Sequence, residues 1–186
     1  MQKLKLFFFI LFLTPVICAL FGIIHDHVTC SISEEYYTKF KFIQFGLINK
    51  SIPSQLSFRE GATIVGIMAT WWMGIPIAIM LGGILMFFKN DGSLYRHYVI
   101  TMTITFAVTV LAAFAGYLYW KIHLQRTTVN WYMPENLLDK ESFICVGSIH
   151  NFSYMGAVAG LMMAVLYLII QKGKQTENKK ILRFRE

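Results

Sequence analysis

Four blocks of apolar residues constrain this chain more than any motif: Leu6 to Ile24, Gly61 to Phe88, about Tyr98 to Trp120 and about Phe143 to Ile170. At about 1.5 Å of rise per helical residue, the shortest of them reaches about 28 Å, close to the thickness of a bilayer's hydrocarbon core. A backbone inside hydrocarbon must satisfy its own hydrogen bonds, so each block reads as a membrane-spanning helix. Charged residues form 15% of the 186-residue chain and hydrophobic residues 56%, whereas soluble domains carry roughly 25% charge. The expected fold class is therefore all-α: an integral membrane four-helix bundle, one transmembrane domain over residues 1–186. Its spans are about 6–24, 61–88, 98–120 and 143–170. Residues 25–60 form an outer interfacial cap, 121–142 a second outer loop and 171–186 a basic tail. For the first run, a cleaved signal peptide ending near Val16-Ile17-Cys18-Ala19 is the rival reading. Its length, and the lack of a good small-x-small pair before a break, favour a retained span.

The formal charge is +7, but the basic residues flank the apolar runs rather than forming a nucleic-acid-binding surface. Lys3, Lys5, Lys89, Arg96 and the tail residues from Lys172 onward would share the cytoplasmic side. Both termini are then expected in the cytoplasm, most simply at a cell inner or plasma membrane, with the bilayer as the main partner. Lys39, Lys41, Lys50 and Arg59 make the first outer loop less acidic than this rule prefers.

Local signals subdivide the chain. Val28, Cys30 and Ile32 alternate with Thr29, Ser31 and Ser33, a brief strand-like pattern. Ser33-Glu34-Glu35 then opens a helix with acids in its first turn. Tyr36, Tyr37, Phe40 and Ile43 line one side of that helix as far as Gly46, and it would lie along the membrane interface. Ser57-Phe58-Arg59-Glu60 is a capping box. Gly74, Ala78 and Gly82 make a small-residue face in the second span, where Pro76 should kink the helix. Ala112 and Gly116 offer a second such contact, and Gly156 with Gly160 a GxxxG face. The hydroxyls of Thr101, Thr103, Thr105 and Thr109 can return to their own helix backbone, so they do not argue for a polar pore. Trp71 and Trp72 lie deep for an aromatic belt and should pack. Asn49-Lys50-Ser51 is a glycosylation sequon. Of the three cysteines, Cys18 reads as a small core residue, while Cys30 and Cys145 lie near the same face and could form a disulfide.

Ionisable residues gather toward that outer side. His25, Asp26 and His27 end the first span, Glu35 lies in the cap, Glu60 opens the second span and His150 lies about two turns into the fourth. Tyr119, His123, Asn151 and Tyr154 come from neighbouring depths as supporting groups. Histidine and carboxylate donors from facing helices suit a transition metal such as zinc, copper or iron, with His25, Glu60 and His150 as the expected ligands. Each residue also has a simpler role. Glu60 is complete as a capping acid, and His123 suits a helix C-terminus. His25 and His27 would point apart if extended. His150 is the hardest to dismiss, because a polar side chain within a span is costly unless satisfied or useful. A haem between His123 and His150 stays open. No Ser-His-Asp spacing, phosphate loop or HExxH occurs, and no mid-membrane acid supports an ion-coupled transporter.

His25-Asp26-x-Val28-Thr29, Ile32-Ser33-x-Glu35-Tyr36-Tyr37-Thr38-x-Phe40, Phe42-x-x-Phe45-Gly46 and Ala69-Thr70-Trp71-Trp72 together carry a resemblance. The chain resembles an uncharacterised family of small bacterial four-span membrane proteins with an HDQ-[IV]-T…S-x-EY-[FY]-T signature. The resemblance covers the first half best, and His27 stands where the signature has glutamine. It implies the same architecture and marks the His25 segment. Two functional readings follow. One is an outward-facing metal or small-ligand site at the outer end of the bundle. The other is a structural or assembly protein, a homo-oligomer or the companion of another membrane protein, packing through its small-residue faces and outer aromatic segment.

Overall fold

The computed structural model describes residues 2–48, 56–89, 92–127 and 129–183, so the Asn49-Lys50-Ser51 sequon lies outside the described residues. Four helices are long and apolar enough to cross a membrane, and the chain is an all-α four-helix bundle. The first span is α1 (Gln2–Ile32). The cap follows as α2 (Glu34–Tyr36), one π-helical turn (Tyr37–Lys41) and α3 (Phe42–Gln44). The second span is α4 (Phe58–Thr70), a 3-10 turn (Trp71–Met73) and α5 (Gly74–Leu85). The third is α6 (Ser93–Ile122), and the fourth lies within α7 (Lys140–Arg183). Helix α1 packs along α4 and α5, α6 packs along α7, and the pairs meet mainly where α5 touches α6 and α7.

Glycines set how closely these helices approach. A Cβ on Gly74 would lie 2.4 Å from Pro15 Cα, and one on Gly66 would lie 2.7 Å from the Gly22 carbonyl. On the other pair, a Cβ on Gly160 would meet Thr105 backbone at 2.8 Å and one on Gly116 the Ser148 carbonyl at 2.8 Å. The small-residue faces foreseen on the second and fourth spans are thus filled within the chain. The threonine hydroxyls of α6 return to their own backbone, as Thr105 to the Thr101 carbonyl at 2.9 Å and Thr109 to that of Thr105 at 2.8 Å. The break in the second span comes at Trp71–Met73 rather than at Pro76 itself. Proline lacks the N–H that would bond residue i−4 and its ring crowds that carbonyl, so distortion falls in the preceding turn. At the far end, Lys3 donates to the Met86 carbonyl at 3.0 Å and to that of Phe88, and Lys172 donates to that of Phe87. These cations satisfy orphan carbonyls where α5 ends.

The structure corrects one element. The strand-like alternation at Val28–Ile32 lies on continuous helix, because α1 runs past Ile24 to Ile32. Thr29 and Ser31 return their hydroxyls to the carbonyls of His25 and His27, at 3.0 and 2.9 Å. The apolar run stops where the inward-facing polar residues begin, while the helix goes on. Ser33 then caps α2, its Oγ accepting from the Tyr36 amide at 3.2 Å. Gly46, at φ 71°, ends α3 with the Leu47 amide donating to the Phe42 carbonyl at 2.8 Å, a glycine C-cap.

Candidate functional site

The cap folds over the end of the bundle, where α1 and α7 bring three side chains together. Successive helical residues turn by about 100°, so His25 and Asp26 both border the interior while His27 faces away. His27 Nε2 instead pairs with Thr63 Oγ1 of α4 at 2.8 Å. On the facing helix α7, His150 reaches the same point. Asp26 Oδ1 lies 3.2 Å from His25 Nδ1 and 3.4 Å from His150 Nε2. Asp26 and His150 are each only 4% exposed.

The hydrogen bonds behind these contacts assign their protons. A carbonyl can only accept, so His150 Nδ1 carries a proton donated to the Val146 carbonyl at 3.0 Å. The Ser153 hydroxyl donates to the Ile149 carbonyl at 2.8 Å, and its oxygen therefore accepts from His25 Nε2 at 3.1 Å. When both imidazoles are neutral, each turns a bare nitrogen toward the same carboxylate oxygen; with a proton on His25 Nδ1 the 3.2 Å contact is a hydrogen bond to Asp26. Among the described residues, His150 Nε2 and Asp26 Oδ2 have no hydrogen-bond partner. Three lone-pair atoms thus converge in a buried space, which is unfavourable unless something positive sits among them.

Aromatic rings enclose the cluster. Tyr36 stacks on His150 with centroids 5.1 Å apart, His25 meets it edge-on at 4.7 Å, and Tyr154 lies at 6.2 Å. Tyr37 is fully buried, with its hydroxyl 2.6 Å from Thr29 Oγ1. Burial raises both cap phenols above their ordinary range, and the Asp26 charge adds to this. Lys41 is buried among the rings of Tyr36, Phe40 and Phe45, its amine 5.5–5.8 Å from their centroids. Burial pulls its amine below the usual lysine range.

Several foreseen ligands lie elsewhere. The Glu60 carboxylate accepts from the Ser57 amide at 2.8 Å and from the Ser57 hydroxyl at 2.7 Å, which completes the exposed capping box. Asp26 takes the carboxylate position in the cluster. Glu35 also stays outside. It pairs with Lys39 and accepts from the amides of Leu138 and Asp139, at 3.0 and 2.8 Å, which ties the cap to the second loop. The Lys39 bond and these two amides lower its carboxyl to about 2. His123 is exposed against Tyr119, with centroids 5.1 Å apart, away from the rings around His150. Asn151 is exposed and Tyr119 is 43% exposed. Cys30 and Cys145 are free, buried thiols rather than a disulfide. Cys30 Sγ instead accepts from Arg59 Nη1 at 3.0 Å. Sequence reasoning overlooked Ser153 and the ring of Tyr36. The i, i+3 spacing of His150 and Ser153 was the available signal, while the stacking of Tyr36 depends on how the cap folds back.

From the cluster a cavity of about 70 Å³ runs into the bundle, past Phe21, Thr109 and Ala157 to Cys18 and Ile77. The chain therefore joins two features, a membrane-crossing four-helix bundle and a buried His-Asp-His cluster at its capped end. Comparison with protein-family models, with curated proteins and with solved structures found no match.

Proposed function

We propose that this integral membrane protein binds one divalent transition-metal ion between His25 Nδ1, Asp26 Oδ1 and His150 Nε2. The convergence of three potential ligand atoms, all within 4.8 Å of one another, carries the reading. Two of the three separations, 3.2 and 3.4 Å from Asp26 Oδ1, are close to the ligand-to-ligand edge of a tetrahedral site, about 3.3–3.6 Å for bonds of about 2.0–2.2 Å, and all three atoms lie within 4.8 Å of one another. Each imidazole gives its other N–H to a protein acceptor, Ser153 Oγ or the Val146 carbonyl, as metal-bound histidines do. Two imidazoles and one carboxylate suit zinc or iron(II), and three protein donors leave a coordination position open.

The charge pattern supports placing the cluster at the outer end of the bundle, with both termini cytoplasmic. The family resemblance fits this arrangement, because the departing residue, His27, turns its ring to Thr63 and away from the cluster. The assembly reading draws less support. The faces it relied on, Gly74 and Gly160 among them, meet helices of the same chain.

Elemental analysis of protein purified from its own membrane without chelators tests the proposal. One equivalent of metal is expected, lost in His150→Ala and in His25→Ala and kept in Glu60→Gln. Wild-type protein with only trace metal sinks the reading and leaves the proton as the occupant of the cluster.

A further inference from the structure

The end of the bundle away from the cluster carries the net charge of the chain. Lys3 donates to the Met86 and Phe88 carbonyls, Lys172 donates to that of Phe87, and the Lys89 amide donates to Gln175 Oε1 at 3.3 Å. The Phe88 and His97 rings, with centroids 5.1 Å apart, bring the start of α6 to the same place. The sequence segments that meet there, 1–5, 86–97 and 171–186, hold ten of the 17 Lys and Arg residues and three of the 10 Asp and Glu residues, which is the whole formal charge of +7. The segments at the capped end are balanced, with seven of each.

The two ends also differ in how their cations are used. At the capped end Lys39 pairs with Glu35, Lys41 lies among three rings and Arg59 donates to the His27 carbonyl. At the charged end Lys3 and Lys172 are committed to carbonyls where α5 ends. Lys5, Lys89, Arg96 and Lys174 are exposed, and among the described residues none of them pairs with a carboxylate. Their depth follows from the apolar blocks. Lys5 and Lys89 lie one residue beyond a block, Arg96 two and Lys174 four, which is about 6 Å at most at about 1.5 Å per helical residue. The headgroup layer on each side of a bilayer is about 5–8 Å thick, so all four reach it. Tyr95, next to Arg96 and 55% exposed, suits that interface. Lys179 and the later cations of α7 begin about 13 Å past Ile170, beyond a screening length of about 8 Å.

We infer that Lys5, Lys89, Arg96 and Lys174 gather anionic phospholipid, such as phosphatidylglycerol, in the leaflet at this end of the bundle. A phosphodiester without an ammonium of its own complements an unpaired cation, whereas the phosphatidylcholine zwitterion carries its own counter-charge. Each Lys or Arg at an anionic membrane surface contributes about fivefold in affinity. The cations of the capped end, already paired, caged or balanced by acids, offer no such surface. The inference is independent of the metal.

The test uses the full chain in nanodiscs of equal parts phosphatidylcholine and phosphatidylglycerol, with native mass spectrometry counting the lipids each protein retains. Both leaflets hold both lipids, so the direction of insertion does not enter. Wild type should retain phosphatidylglycerol in excess of the bulk ratio by about fivefold or more. The variant carrying Lys5→Gln, Lys89→Gln, Arg96→Gln and Lys174→Gln should retain the two lipids near the bulk ratio. The charge-keeping set Lys5→Arg, Lys89→Arg, Arg96→Lys and Lys174→Arg should keep the excess. Lys121→Gln with Lys140→Gln, which removes exposed cations of the capped end, should also keep it. Should the fourfold Gln variant fail to fold, the pairs Lys5→Gln with Lys174→Gln and Lys89→Gln with Arg96→Gln should each lower the excess. An excess unchanged in the folded Gln variants overturns the inference, as does one lost equally in the capped-end variant. Wild type that retains both lipids at the bulk ratio also overturns it and leaves these cations to an acidic protein segment.

Discussion

Asp26→Asn separates a cation site from an ordinary buried ion pair, because the two readings predict opposite signs in metal-free protein. Asp26 Oδ1 lies 3.2 Å from His25 Nδ1 and 3.4 Å from His150 Nε2, while among the described residues its Oδ2 and His150 Nε2 have no hydrogen-bond partner. An asparagine fits the same volume and can turn its amide toward His150 Nε2, so a donor meets an acceptor that lacked one. An unsatisfied buried polar group costs about 1–3 kcal/mol. The metal-free variant should therefore be more stable than metal-free wild type by about 2 kcal/mol, which corresponds to about 4–8 °C in Tm for a chain of this length. With metal the order changes. At a free concentration one hundred times Kd, binding stabilises wild type by about 2.7 kcal/mol, or about 5–10 °C. The variant, lacking the carboxylate ligand, should not respond. Thermal unfolding in mild detergent, with EDTA and then with added zinc or iron(II), reads both effects. A variant that melts below wild type in EDTA while keeping the metal response would refute the reasoning, since Asp26 would then be stabilising in itself and dispensable to the ion.

The remaining predictions concern the scaffold around the cluster. Gly74→Ala puts a Cβ 2.4 Å from Pro15 Cα, a clash with backbone that no rotamer change relieves. It should cost about 2 kcal/mol, seen as a lower melting temperature, whereas a Cβ on Gly83 meets nothing within 4 Å among the described residues, so Gly83→Ala should melt about 1–4 °C above wild type. The Glu35 carboxyl is lowered from 4.5 to about 2 by Lys39 and two loop amides. Its contribution to holding the cap on the second loop is thus fully present above pH about 4.5 and lost as the pH falls toward 2. Protection of the Leu138 and Asp139 amides from hydrogen exchange, relative to the unstructured rate at the same pH, should fall over that window, and Glu35→Gln should show faster exchange than wild type already at pH 7. His27→Gln restores the residue of the resembled signature and keeps a side chain able to bond Thr63, so metal content should stay at one equivalent. Thiol titration of denatured, unreduced protein should find all three cysteines free.

The hydropathy of the chain made the architecture legible, since a bilayer demands long apolar helices and the capping box at Ser57 marks where one begins. The cluster was legible only in part. His150 stood out because its cost within a span must be met by something, and His25 and Asp26 stood out as polar residues ending an apolar run. Choosing Glu60 over Asp26 as the carboxylate came from treating residues 25–33 as loop. Once α1 is seen to continue to Ile32, the angular spacing of a helix decides the matter: Asp26 turns inward with His25, and His27 turns toward α4. The proton assignments lie further from the sequence. They depend on Val146 and Ile149 carbonyls one turn before His150 and Ser153 on α7, and on the fit of α1 against that helix. Each bond is ordinary helical back-bonding, yet together they commit the far nitrogens of two neutral imidazoles, so that the near nitrogens face Asp26. A core histidine that was merely satisfied would spend a donor on its neighbour. These two spend a donor each away from Asp26, and that orientation leaves the shared point open to a cation, which the Asp26→Asn comparison with and without metal identifies as a metal ion or a proton.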